Sequence, residues 1–358
     1  MTVTVRSFAK INLGLYIGAL RADGYHDLRT VYQTIALHDV IRVSVGRGRG
    51  IEIRCEHPRV PRDQSNTCYQ VAARVMDELG AKGKVVVEIE KRLPVQGGMG
   101  AASSNAVATI VAMERALKKP LAGPARLRIA AEVGSDLPLF LVGGTILGVG
   151  RGEEVYPLPD LSALPFVVVT PEVGVSTPRA FADWDALMQE EKAAELRSEA
   201  GRSARPTREA AELRSAGQPG AAVPAWAQLT HRGGSDRLSM VGRALSSWLS
   251  GSPNTGASAG GRSRAGSLLL DLVRTGIEND FEKVVFPQYP ELRDMKRALE
   301  RAGSVYASLS GSGSTLYGLF RTRAAASKAA VRIRTQGLKA QATMTLTRNQ
   351  YWKKIVGC

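Results

Sequence analysis

One stretch, residues 85–117, constrains the fold more tightly than any other part of this chain. Val85 to Ile89 is a β-branched run of strand length, and from about Ser103 to Leu117 small and aliphatic residues continue at helical length. Between them, after Leu93, lies Pro94-Val95-Gln96-Gly97-Gly98-Met99-Gly100-Ala101-Ala102-Ser103-Ser104-Asn105. A strand that enters a glycine-rich loop and leaves as a helix aims successive backbone N–H groups, and the positive end of the helix dipole, at one spot. That spot suits phosphate oxygens. Ser103 and Ser104 can cap the helix, donate to phosphate or help to hold Mg²⁺ through water. The loop is not a Walker loop, since no Gly-Lys-Ser/Thr follows, and it does not match the dinucleotide fingerprint. Taken alone, it is also compatible with a plain tight turn.

The chain has 358 residues, length enough for two domains with a core each. Thr2–Val5, Ile11–Ile17, Leu28–Leu37, Asp39–Val45 and Ile51–Cys55 read as strands, and Asn66–Leu79 as a helix with Val71, Val75 and Leu79 on one face. Past the loop come a short helix at Leu127–Val133, strands at Thr145–Val149 and Phe166–Val169, and a helix from Arg179 to about Glu199. Residues 198–266 change character: Ala, Arg, Ser, Gly and Pro dominate, which predicts a flexible insertion with a short helical island between Trp226 and Leu249. Beyond it, helices are expected near Asp280–Val285, Glu291–Ala302 and Ala324–Gln336, and strands at Tyr306–Leu309, Leu316–Phe320 and Ala342–Thr347.

Composition excludes more than it assigns. Cys55, Cys68 and Cys358 lie far apart without metal-ligand spacing, so neither a disulfide framework nor a zinc site is expected, and a reducing cytoplasm is the expected location. The chain opens without a basic-then-apolar leader, and its most apolar run, Leu137–Val149, is too short to cross a bilayer. The formal net charge is +15, and nine Lys/Arg with no Asp/Glu follow from Arg321 onward. Positive potential suits a protein that gathers small anions, a nucleic-acid binder, or simply a chain from a basic proteome.

Three separated segments say more together than the loop does alone. Ala9-Lys10-Ile11-Asn12-Leu13, the 94–105 loop and Ser310-Gly311-Ser312-Gly313-Ser314 resemble, in this order, the three motifs of the GHMP kinases. That superfamily includes galactokinase, homoserine kinase, mevalonate kinase and phosphomevalonate kinase. Within it, Arg21-Ala22-Asp23-Gly24-Tyr25-His26-Asp27-Leu28, Gly134-Ser135-Asp136-Leu137-Pro138 and Gly174-Val175-Ser176-Thr177-Pro178 with Phe181 are similar to the 4-diphosphocytidyl-2-C-methyl-D-erythritol kinase branch. The likeness spans nearly the whole chain apart from residues 198–266.

The resemblance implies an α+β fold in two domains: a ribosomal-S-five-like N-terminal domain over 1–160 that binds ATP, and a ferredoxin-like α/β sandwich over 161–358. It implies in-line transfer of the ATP γ-phosphoryl group, with Mg²⁺, to the 2-hydroxyl of the methylerythritol moiety. Asp136 is then the general base and Lys10 its cationic neighbour. ATP falls to residues 94–104 and Asn66, with Lys91 or Arg92 near by. The acceptor falls to Asn12, Tyr25, His26, Thr177, Phe181, Gly311 and Gly313, with an aromatic sandwich about the cytosine and His26 meeting its polar edge. Only small-molecule partners are implied, with no nucleic acid or membrane, for a monomer or weak homodimer.

Each residue also has a local reading. Lys10 can be an edge-strand lysine, Asp136 a turn cap before Pro138, Asn66 a plain N-cap, Tyr25 and Phe181 core, and His26 a turn-stabilising donor. The sequence departs from the family where Gly100-Ala101-Ala102 replaces a glycine triplet; alanine keeps its N–H, and right-handed conformations are expected there. A mevalonate- or homoserine-type kinase would not need the Tyr25-His26 pair. A nucleic-acid binder would not need Lys10 with Asp136 and would bind in a salt-sensitive way.

Overall fold

In a computed structural model of the chain, the described residues are 1–161, 163–203 and 277–355. The low-complexity stretch from 204 onward, with the helical island expected between Trp226 and Leu249, lies outside them.

The strands read separately at the start of the chain are continuous. β1 (Thr2–Leu20) and β2 (His26–Gly46) form one long antiparallel hairpin, paired from Thr2 with Ser44 to Leu20 with His26. Its register slips between Phe8 and Lys10, between Asn12 and Gly14, and between Ile17 and Leu20. A bulge leaves a residue unpaired and re-aims the side chains beside it, which breaks the alternation that sequence reading relies on. β2 pairs with β4 (Lys84–Glu90) through Val40–Gly46 and with β5 (Thr145–Val149) through Thr30–Gln33. β3 (Gly50–Arg54) runs parallel to β4, and β6 (Glu154–Pro157) antiparallel to β5, completing a six-stranded sheet.

Helices α1 (Thr67–Glu78) and α2 (Ala101–Leu117) pack on this sheet, with α3 (Gly123–Val133) and α4 (Leu137–Val142) alongside. α2 is buried without interruption from Ser104 to Met113, which is why it carries apolar and small residues on every side. The second sheet has the order β10-β7-β9-β8, built from β7 (Pro165–Val169), β8 (Tyr306–Leu309), β9 (Leu316–Leu319) and β10 (Ala340–Met344). Around it lie α5 (Thr177–Ser203), α6 (Glu282–Gln288), α7 (Pro290–Arg301) and α8 (Arg323–Arg334). The architecture is α+β, in two sheet-based halves.

The halves exchange segments. α9 (Arg348–Ile355), not expected from the sequence, returns to the first core through Tyr351 and Ile355, and the Tyr351 hydroxyl donates to Phe140 O at 2.7 Å. In the other direction, Leu15 and Ile17 of β1 pack in the second core with Trp184, Leu292 and Ile333. A third cluster, containing Ile11, Leu13, Leu93, Met99, Val168 and Tyr317, fills the seam between the sheets. Tyr317 crosses that seam to donate to Asn12 O at 2.8 Å. The chain halves are therefore held in one arrangement where the three motifs meet.

Candidate active site

Backbone contacts bring the three motifs together. The Lys10 N–H donates to Met99 O at 3.0 Å, tying β1 to the glycine-rich loop. Ser310 Oγ donates to Gly98 O at 3.0 Å, and the Thr315 N–H donates to Gly97 O at 3.3 Å. Only glycine permits this approach. Gly98 has φ +71°, and a Cβ there would sit 2.1 Å from Ser310 O. Across the cradle, a Cβ on Gly311 would lie 3.7 Å from Lys10 Nζ. The 94–105 and 310–315 loops are thus stacked, with the ammonium at their junction.

The loop's conformation settles several local alternatives. Gly100, with φ +65°, precedes α2, and Ala101 and Ala102 open the helix in right-handed conformation as expected. No side chain caps this helix, so neither serine has that role. Ser104 is buried; its hydroxyl donates to Phe8 O at 2.6 Å and receives the Ser7 hydroxyl at 2.7 Å. It fastens α2 to β1. Ser103 is half-buried and makes no side-chain hydrogen bond among the described residues.

At the heart of the site Lys10 Nζ stands 3.5 Å from Asp136 Oδ2, with the lysine side chain 5% and the aspartate 34% exposed. Access is therefore from the carboxylate side. Lys10 lies on β1, which pairs only with β2 in its sheet, yet it is no surface lysine: it is buried, and Nζ donates to Asn12 Oδ1 at 2.7 Å. Asn12 in turn donates from Nδ2 to Thr30 Oγ1 at 2.7 Å, so its amide orients the lysine from inside the hairpin. Asp136 immediately precedes α4, yet its side chain makes no capping bond. Instead Oδ1 accepts from the Tyr32 hydroxyl at 3.1 Å. Burial, with the Asp136 charge adding to it, pushes the Tyr32 phenol well above its ordinary range, so it stays a neutral donor. Tyr32 was not among the residues singled out from the sequence, where it is one aromatic in a long strand.

The expected acceptor residues divide. His26 is buried, with Nε2 2.7 Å from Asp185 Oδ1 on α5, and its ring stacks on Phe181 with centroids 5.1 Å apart and planes 9° apart. Phe181 also meets the Phe281 ring edge-on at 4.9 Å. Phe181 and His26 thus stack directly on one another, with the His26 ring edge turned to Asp185. Tyr25 is exposed, with the Arg151 guanidinium 5.1 Å from its ring centroid. Thr177 Oγ1 lies 2.7 Å from Ser312 Oγ, joining the start of α5 to the loop that holds Gly311 (φ +59°) and Gly313 (φ +93°).

At the start of α1, Asn66 is an N-cap: Oδ1 accepts from the Cys68 N–H at 2.8 Å, and Nδ2 donates to Pro61 O at 2.6 Å. Lys91 pairs with the fully buried Asp39 at 2.5 Å, and Arg92 pairs with Glu90, so both have structural partners. Asp39 also accepts the N–H groups of Arg92 and Leu93, each at 2.7 Å, and so fixes the chain as it enters the loop. A cavity of about 840 Å³ flanks the loop, with His57, Arg59, Val95, Thr170 and Arg334 in its wall. Among the described residues no group of three or more His, Cys, Asp or Glu gathers as a metal site, and no helix is long and apolar enough to cross a membrane.

Comparison with known proteins agrees with this geometry. The models for the GHMP kinases N terminal domain and the GHMP kinases C terminal match residues 66–144 and 263–339. A 4-diphosphocytidyl-2-C-methyl-D-erythritol kinase of Solibacter usitatus is 34% identical over 320 residues, covering 89% of this chain and 81% of that protein. The enzyme of the same name from Chlorobaculum parvum is 32% identical over 331 residues, covering 91% and 92%. In fold, a crystal structure of 4-(cytidine 5'-diphospho)-2C-methyl-D-erythritol kinase superposes with a TM-score of 0.64 at 24% identity, over 96% of this chain and 99% of that one. Homoserine kinase from Cytophaga hutchinsonii gives 0.63 at 18% identity, over 97% and 95%. Sequence identity over the greater part of both chains makes this protein a member of the 4-diphosphocytidyl-2-C-methyl-D-erythritol kinase family, within the GHMP kinases.

Proposed function

We propose that the chain transfers the γ-phosphoryl group of ATP to the 2-hydroxyl of 4-(cytidine 5'-diphospho)-2-C-methyl-D-erythritol, giving the 2-phosphate and ADP. The observation that carries this reading is the Lys10–Asp136 pair, 3.5 Å apart beside the stacked glycine-rich loops. The acceptor proton passes to the Asp136 carboxylate as its oxygen bonds to the γ-phosphorus, and the bond from that phosphorus to the bridging oxygen of ADP breaks. Lys10 offsets the negative charge that builds on the transferring group, and Asn12 holds it there. The backbone N–H groups at the start of α2 receive the phosphates. Mg²⁺ neutralises phosphate charge in such a reaction; with no acidic cluster among the described residues, the nucleotide's own oxygens, water and Ser103 would hold it.

The branch of the superfamily follows from the far end of the site. Exposed Tyr25 beside His26, itself oriented by Asp185, suits an aromatic base with a polar edge, and nothing in mevalonate or homoserine would use it. The enzyme is read as a cytoplasmic one, working on small molecules as a monomer or weak dimer. ADP release measured in parallel with the cytidylated methylerythritol, mevalonate and homoserine tests the reading. Turnover with the first alone is expected. Preferential turnover of either other alcohol contradicts it.

A further inference from the structure

The two oxygens of Asp136 have different neighbours. Oδ2 faces the Lys10 ammonium at 3.5 Å, whereas Oδ1 accepts the Tyr32 hydroxyl at 3.1 Å. Tyr32 is itself held on every side. It lies on β2 opposite Asn12, its ring is buried, and Lys10 Nζ stands 5.2 Å from the ring centroid. Gly152 presses on the hydroxyl from the turn before β6, so closely that a Cβ there would come within 2.6 Å of it. The charged groups facing this phenol are Asp136 ahead of α4, Lys10 on β1 and Glu153 in the 150–153 turn.

We propose that Tyr32 is a positioning residue for phosphoryl transfer: its hydroxyl fixes the rotation of the Asp136 carboxylate, so that Oδ2 is the oxygen held beside Lys10 to take the acceptor proton. The inference rests on the reading of Asp136 as the general base. A carboxylate free to spin about its last bond spends much of its time with neither lone pair aligned to the alcohol. Misalignment at this distance is costly in rate. A phenol that stays protonated across the working pH range can hold one oxygen without competing for the proton.

Tyr32→Phe keeps the buried ring and removes only the hydroxyl. The expected result is a kcat about 10- to 100-fold lower, with KM for ATP and for the alcohol within about threefold of the parent. Gly152→Ala reaches the same bond from the other side by crowding the hydroxyl away, and should produce the same split between kcat and KM. Combined with Tyr32→Phe it should add little to the kcat loss. A Tyr32→Phe enzyme with kcat within twofold of the parent overturns the proposal. So does a loss carried by KM alone, or a fall in Tm with kcat unmoved, which marks a structural role. Asp136→Asn measured alongside separates the layers. If it still turns over, the base assignment fails and this proposal with it; if it is inactive while Tyr32→Phe is normal, only the proposal fails.

Discussion

Replacing Gly98 with alanine tests the stacking of the two loops, and the structure sets the size of the effect. At φ +71° an alanine costs about 1–2 kcal/mol for the left-handed backbone alone. Its Cβ would also fall 2.1 Å from Ser310 O and 2.9 Å from Gly313 O, both backbone atoms that cannot rotate aside. Overpacking of this kind costs about 1–3 kcal/mol, and loss of the Ser310-to-Gly98 hydrogen bond about 1 kcal/mol more. Gly337 is the control: φ is +81°, but nothing lies within 4 Å of its Cβ position, so Gly337→Ala should show the backbone cost only. At about 1–2 °C per kcal/mol for a chain of this length, Gly98→Ala should lower Tm by at least ~3 °C, and by more than Gly337→Ala does. Thermal unfolding followed by circular dichroism measures this, and steady-state ADP release measures the rest. Gly98→Ala should raise KM for ATP and lower kcat, and Gly337→Ala should change neither. Equal Tm shifts for the two variants, with ATP kinetics of Gly98→Ala within twofold of the parent, would refute the stacked-loop geometry.

Two other outcomes are open to simple measurement. Asp39→Asn leaves the buried Lys91 ammonium without its counter-charge and weakens the anchor on the Arg92 and Leu93 N–H groups. Urea unfolding should show a loss of about 3–5 kcal/mol, and an unmoved midpoint would contradict the buried pair. For pH, Arg54 and then Lys84 hold the Glu52 carboxyl down at about 2, from an ordinary 4.5. The folded value lies below the unfolded one, so the stabilisation is complete above pH 4.5 and is lost as pH falls through about 2. Acid unfolding of Glu52→Gln should lack that part of the pH dependence. Added salt should shrink the difference, since the pair is on the surface. Identical acid profiles at low salt would contradict the pairing.

The parts of the site legible in the sequence are those whose chemistry forces a residue type locally. A phosphate cradle needs glycine where φ is positive, and Gly98, Gly100, Gly311 and Gly313 mark it without any knowledge of packing. Lys10 and Asp136 were readable through the motifs around them, and the seam clusters bring them together as the motif order implies. What escaped reading depends on contacts between distant segments. Tyr32 becomes part of the site only when β2 lies between β1 and β5 and the 150–153 turn closes over it. Ser104 looks like a cap or phosphate donor in the linear motif, but the Phe8 carbonyl, 96 residues earlier, takes its proton. That His26 stacks on Phe181 is likewise invisible in the linear motifs, which set the two 155 residues apart. α9 escaped because Tyr351 and Ile355 are its only buried side chains, too few for a visible period.

The account stands on an alcohol losing its proton to Asp136 while Lys10 offsets charge on the phosphoryl group. Single-turnover quench-flow of Asp136→Asn, with ATP and the cytidylated methylerythritol both saturating, measures that step directly. The amide has no proton-accepting charge, so the rate of 2-phosphate formation should fall by about 10²–10⁴ while ATP still binds with near-parental affinity. A transfer rate within twofold of the parent would contradict it.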